Sequence, residues 1–148
     1  MSSQLKVQCF HKLEDFLRSS LSSLTDVFMD LSNSNSSLKN LGFAIEKCLI
    51  LQNLSIILND NYIDDKGLLI LGVQSLDSSL QKLQRLSTLQ LDLSQNSIDQ
   101  QGVKNLTYYM AQYKRLYSLK LNLSLNKIPS DGASDLDSQN KKTSLKNN

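Results

Sequence analysis

The chain has 148 residues, 40% hydrophobic and 20% charged, with a formal net charge of +2, which suits one domain with a modest core. Acidic and basic residues are interspersed, so neither the basic stripe of a nucleic-acid binder nor the basic amphipathic helix of a membrane-surface protein is present. The longest apolar run is far too short for a membrane span, and the N-terminal M-S-S-Q-L-K-V-Q lacks the pattern of a secretion signal, so the chain reads as intracellular, in the cytoplasm.

Residues 4–22 carry Leu5, Cys9, Phe10, Leu13, Phe16, Leu17 and Leu21 at a spacing that puts them on one face of a helix. Residues 1–23 are therefore expected to form an amphipathic N-terminal helix that caps the core. The two cysteines, Cys9 and Cys48, stand among apolar neighbours and read as buried, reduced thiols. From residue 24 the text becomes repetitive. Leu89, Leu91 and Leu93 alternate with Gln90, Asp92 and Ser94, the period of a half-buried strand. Then follows N-x-I-x-x-x-G-x-x-x-L at Asn96, Ile98, Gly102 and Leu106, which recurs at Asn61, Ile63, Gly67 and Leu71 and again at Asn126, Ile128, Gly132 and Leu136. A worn copy precedes these, with Leu24, Val27, Met29 and Leu31 in the leucine positions and Ser34 in that of the asparagine. About four units thus occupy residues 24–137, the first degenerate and the last truncated. The polar tail 138–148 cannot bury enough surface to offset the entropy of ordering it, and disorder is expected there.

One strand and one helix cannot bury both apolar faces alone. Stacked units give a parallel sheet backed by a layer of helices, with the leucines between them. Asn61, Asn96 and Asn126 stand where the strand ends and the chain turns inward, where a side-chain amide can satisfy backbone groups that no strand neighbour reaches. Gly67, Gly102 and Gly132 fall at the start of each helix, where glycine serves either close packing or unusual dihedrals.

The stretches Leu91–Leu106, Ile56–Leu71 and Leu121–Leu136 resemble the leucine-rich-repeat family, in particular its long-repeat, ribonuclease-inhibitor-like subclass. The resemblance implies an α/β fold, a short leucine-rich-repeat solenoid with a parallel sheet on the concave side and helices on the convex side. It also implies ligands engaged on the concave face. The alternation starts early, at Leu54, Leu89 and Leu119, which predicts strands about two residues longer than is usual in that family.

Outward-facing strand positions carry no duty in the core, which nominates them as a contact surface. One column holds Phe28, Ser55, Gln90 and Lys120, the next Asp30, Ile57, Asp92 and Asn122, and the third Ser32, Asn59, Ser94 and Ser124. Exposed Phe28 and Ile57 favour association over mere solvation. Tyr108, Tyr109, Tyr113 and Tyr117 are expected to cover the core edge beside Met110. His11 reads as a helix-surface residue, and Asp64 and Asp65 as residues that open a helix. No nucleophile–base pair, cofactor motif or metal-ligand spacing is present in the sequence, so no catalytic, cofactor or metal site is expected. The reading is a non-enzymatic protein–protein interaction module that binds another protein, with no nucleic-acid or membrane partner. Two rivals stand beside it: a structural subunit or fragment of a larger repeat assembly, and a GTPase regulator, for which only Arg18, Arg85 and Arg115 could supply an arginine.

Overall fold

Six parallel strands in strictly sequential order organise the chain. The structure, a computed structural model, describes residues 7–34, 39–68, 83–111, 115–129 and 143–146. The strands are β1 (Gln8–Phe10), β2 (Asp26–Asp30), β3 (Asn53–Ile57), β4 (Thr88–Asp92), β5 (Ser118–Asn122) and β6 (Thr143–Lys146). The helices are α1 (Leu13–Arg18), α2 (Lys39–Ile45), α3 (Asp65–Leu68) and α4 (Gln100–Ala111).

The register follows the leucine alternation. Val27, Leu54, Leu89 and Leu119 lie opposite one another in one inward row, and Met29, Ile56, Leu91 and Leu121 in the next. Past the strand ends the ladder continues: Leu31 N–H donates to the Ile57 carbonyl, Leu58 to Asp92 and Leu93 to Asn122, at 2.8–2.9 Å. Leu31, Leu58, Leu93 and Leu123 are all at most 1% exposed. The helices contribute Leu41, Ala44, Val103, Leu106 and Met110 to the same core. Leu91 alone in these rows is half-buried; nothing in its neighbours Ile56 and Leu121, both buried, explains why.

The asparagines close the rungs. Asn96 Nδ2 donates to the carbonyls of Leu58, Leu93 and Ser94, all at 3.0 Å, and its Oδ1 accepts from the N–H groups of Asn61 and Ile63. Asn126 repeats the scheme one unit on, donating to Leu93, Leu123 and Ser124 and accepting from Ile98 N–H. Asn61 donates to Leu31 and Asn59, while Ser34, in the worn first unit, donates through its N–H and Oγ to Asn61 Oδ1. Each amide therefore ties its own strand end to the preceding unit. The turn that delivers it is left-handed: Asn33, Asp60, Gln95 and Leu125, immediately before Ser34, Asn61, Asn96 and Asn126, have φ of 45–57°. For an L residue that conformation costs roughly 1–2 kcal/mol, which the amide hydrogen bonds offset.

Glycine at the helix start serves close packing. A Cβ built on Gly102 would run into the Asp65 carboxylate and come within 2.9 Å of Ile98 Cγ2, whereas one on Gly67 meets Ile63 Cγ2 at 3.1 Å. Gly102→Ala is thus expected to be destabilising. Its helix-propensity gain of about 1 kcal/mol is outweighed by an overpacking cost of roughly 1–3 kcal/mol against the fully buried Ile98. Gly67→Ala should be near neutral. Urea midpoints of the two variants, side by side, check the ordering. Gly132 lies outside the described residues.

Several expectations need correction. The N-terminal segment is not one helix. β1 hydrogen-bonds to β2 with Cys9 opposite Phe28, which satisfies backbone groups along the β2 edge. Helix α1 starts only at Leu13, and a short 3-10 turn (Leu21–Ser23) follows. Leu17 is 38% exposed, off the buried face formed by Leu13 and Phe16. Because Phe10 points into the core, Cys9 points out and is exposed, so only Cys48 is a buried thiol. Burial pushes the Cys48 thiol up to about 12. In the tail expected to be disordered, Thr143–Lys146 form β6 against β5, with Leu145 in register with Leu121. Backbone pairing along an open strand edge needs no apolar stripe, and composition alone overlooks it. Residues 138–142, 147 and 148 lie outside the described residues, as do Tyr113 and the side chain of Tyr109, while Tyr108 and Tyr117 are exposed and do not cover the core edge.

Candidate functional site: the outer face of the sheet

Alternation leaves the second face of every strand free of the core, and the register assembles those positions into rows. Phe28, Ser55, Gln90 and Lys120 stand opposite one another, extended to Cys9 on one side and to the Ser144 position on the other. Asp30, Ile57, Asp92 and Asn122 form the next row, extended to the Lys146 position. Gln90 and Lys120 are exposed; Phe28, Asp30, Ser55, Ile57, Asp92 and Asn122 are half-buried.

Not all of these side chains are equally free. Asp92 Oδ1 accepts from Ser94 N–H at 2.9 Å and Ser94 Oγ at 2.6 Å, and Asn122 Oδ1 accepts from Ser124 N–H and Oγ at 3.2 and 2.7 Å. Asp30 makes the same pair of bonds with Ser32. The recurring Asp/Asn-Leu-Ser triplet is thus an anchor for the strand exit, a local turn that Asp and Asn side chains form readily. Ile57-Leu58-Asn59 is the unit that breaks it. Sideways, Asn122 Nδ2 donates to Asp92 Oδ2 at 2.9 Å. The third row, Ser32, Asn59, Ser94 and Ser124, is half-buried, and three of its hydroxyls are committed to the anchors.

The sequence reading missed two parts of this face. One is a row at the strand starts: Asp26, Asn53, Thr88 and Ser118. Asn53 Nδ2 donates to Asp26 Oδ1 at 2.6 Å, and Asp26, only 8% exposed, keeps Oδ2 without a hydrogen bond among the described residues. Stepping back two residues from Phe28, Ser55, Gln90 and Lys120 would have found it. The other is His11, whose ring packs edge-on against Phe28 with centroids 6.5 Å apart. No spacing rule could give that contact, because it depends on β1 being a strand. The hydrogen bonds from Ser32 hold the Asp30 carboxyl below the usual carboxylate range, and nearby His11 acts in the same direction.

A second acidic pair lies at the helix starts. Asp64 Oδ1 accepts from Gly67 N–H, and Asp99 Oδ1 from Gln101 and Gly102 N–H, so both open their helices. Asp65 Oδ1 accepts from Asp99 N–H at 3.1 Å. Partial burial raises the Asp65 carboxyl, with Asp99 and Asp64 adding to the rise, whereas the Asp65 contact and the helix N–H groups lower that of Asp99. A raised carboxyl costs stability when ionised, and that cost fades as pH falls through its folded-state value. A lowered one acts oppositely, its contribution fading as pH falls. Asp65→Asn keeps an acceptor for Asp99 N–H and removes the repulsion. It should raise the unfolding free energy at pH 7 by about 0.5 kcal/mol after solvent screening, with the advantage shrinking as the pH is lowered. A shallow depression of about 350 Å³ nearby is lined by Asp99, Gln101, Lys104, Lys127 and Pro129, away from the sheet face.

Among the described residues, no cluster of three or more His, Cys, Asp or Glu could hold a metal ion, and no helix is long and apolar enough to cross a membrane. The class defined by these features is an α/β protein built on one sequential, all-parallel sheet. Among solved structures the chain is similar to that of leiomodin-1 actin-binding site 2. The TM-score is 0.55 over 80% of this chain and 68% of that one, at 14% identity, a likeness of fold. No family model and no curated protein matches the sequence.

Proposed function

We propose that the chain is a protein-interaction module of leucine-rich-repeat type, ribonuclease-inhibitor-like in its long units, that binds another protein through the outer, concave face of its sheet. The carrying observation is the alignment, in register on adjacent strands, of side chains with no role in the core, among them half-buried Phe28 and Ile57. Apolar groups rimmed by polar ones on a rigid scaffold are the usual make-up of a contact surface. The fold likeness to leiomodin-1 actin-binding site 2 supports a protein as the occupant. The reading is non-enzymatic: the face is taken to act by contact, through its apolar groups, carboxylates, amides and hydroxyls.

Affinity capture with immobilised protein tests this. Phe28→Ser combined with Ile57→Ser should lose partners that the parent chain retains, while Gln101→Glu on the helical side keeps them. Both variants should keep the parental circular-dichroism spectrum. Equal capture by the sheet variant would move the binding surface elsewhere. Asp92 is better left intact, because its bonds to Ser94 and Asn122 make any substitution a test of folding as well.

A further inference from the structure

We infer that the patch centred on Ile57 seats a basic side chain, arginine or lysine, presented by a protein partner. The inference rests on the sheet face being the docking surface and specifies the chemistry of its occupant.

The register places Asp30 directly beside Ile57 on one flank and Asp92 directly beside it on the other. Adjacent strands are roughly 4.8 Å apart, so an apolar side chain stands between two carboxylates. Phe28, one row back on β2, adds an aromatic ring next to this trio. Both carboxylates are fixed in place by their serines. Asp30 Oδ2 accepts no hydrogen bond among the described residues, whereas Asp92 Oδ2 already takes one from Asn122. The Ser32 bonds also hold the Asp30 carboxyl below the usual carboxylate range. Among the described residues no Lys or Arg pairs with either carboxylate; His11 lies near enough to Asp30 to act on it, and Lys120, an exposed cation of this face, lies on β5, opposite Gln90.

An occupant must satisfy both halves of this arrangement. A purely apolar group covering Ile57 would strip water from two negative charges, and an acidic group would be repelled. A lysine or arginine lays its methylene stem on Ile57 and Phe28 and brings its charged head to the carboxylates. The aromatic ring favours the cation further, and arginine can offer several N–H donors to Asp30.

The test uses the isotope-labelled full chain in solution, titrated with Ac-Gly-Arg-Gly-Arg-Gly-NH2, followed by amide chemical shifts. Ac-Gly-Glu-Gly-Glu-Gly-NH2 and a citrulline version of the arginine peptide serve as comparisons. Saturable shifts are expected at Phe28–Asp30, Ser55–Ile57 and Gln90–Asp92 with the arginine peptide only. Asp30→Asn should weaken them about fivefold. That change preserves the strand anchor, because Asn122 already makes the same two bonds to Ser124. Asp99→Asn, which removes a carboxylate at the helix start, should leave the titration unchanged. Shifts spread over all carboxylates, equal binding of the citrulline peptide, or indifference to Asp30→Asn would each overturn the inference. So would a concentration-dependent dimer in sedimentation that Asp30→Asn dissolves, since the occupant would then be a second copy. If the Phe28/Ile57 variant loses protein partners yet the arginine peptide leaves the patch unmoved, the docking surface stands and only the basic occupant fails.

Discussion

Asn96→Ala should lower stability by about 2–4 kcal/mol, measured as a shift in urea midpoint at unchanged slope. The amide holds carbonyls of two successive units, Leu58 on one side and Leu93 and Ser94 on the other, and accepts from Asn61 and Ile63 N–H. Alanine leaves these groups without that partner in a half-buried turn, and desolvated orphans cost more than made bonds return. Asn126→Ala should cost somewhat less, since its Oδ1 accepts only from Ile98 N–H among the described groups. The two amides share one acceptor: Leu93 carbonyl receives Asn96 Nδ2 at 3.0 Å and Asn126 Nδ2 at 2.8 Å. Either single variant leaves that carbonyl bonded, whereas the double variant strips it. Their combined loss should therefore exceed the sum of the single losses. Strict additivity would mean that water replaces the amides.

The second large effect belongs to the leucine rows. Leu93→Ala should cost about 2–5 kcal/mol, because the side chain is fully buried and flanked by the equally buried Leu58 and Leu123 of the adjoining rungs. Leu91→Ala, two residues earlier on the same face, should cost clearly less. Leu91 is half-buried, so the truncation opens towards solvent instead of leaving a closed cavity. Chemical denaturation of the two variants gives the comparison directly. If they were equally destabilised, burial would not be what distinguishes the rungs.

How far these features could be read in advance differs along the chain. The inward rows and the asparagine turns were legible because period-2 alternation and a fixed Asn–Ile–Gly spacing each encode one backbone geometry. Even the worn first unit kept its leucine positions, so β2 could be placed although Ser34 replaces the asparagine. The N-terminus misled, since Leu5, Cys9, Phe10, Leu13 and Phe16 satisfy a helical spacing while Val7 to Phe10 also suit a strand. The open edge of β2, invisible in the sequence, decides between them. β6 was hidden for a similar reason: Thr143–Lys146 gain their order from β5 and not from their own composition. On the outer face, the rows followed from alternation, but the division of labour within them did not. That Asp30 and Asp92 anchor strand exits emerges only from their hydrogen bonds, and that Phe28 carries the His11 ring only from the packing.

Every strand pairs only with its neighbours in sequence, so no contact in the sheet ties the first rung to the last. Opening an outer rung leaves the others with their partners intact, unlike a sheet whose central strand is shared by distant parts of the chain. Amide hydrogen exchange should accordingly be slowest at β3 and β4 and quicken towards β1 and β6, a gradient from the middle outward. A cargo gripped at Ile57 would then be held by the part of the molecule that lets go last.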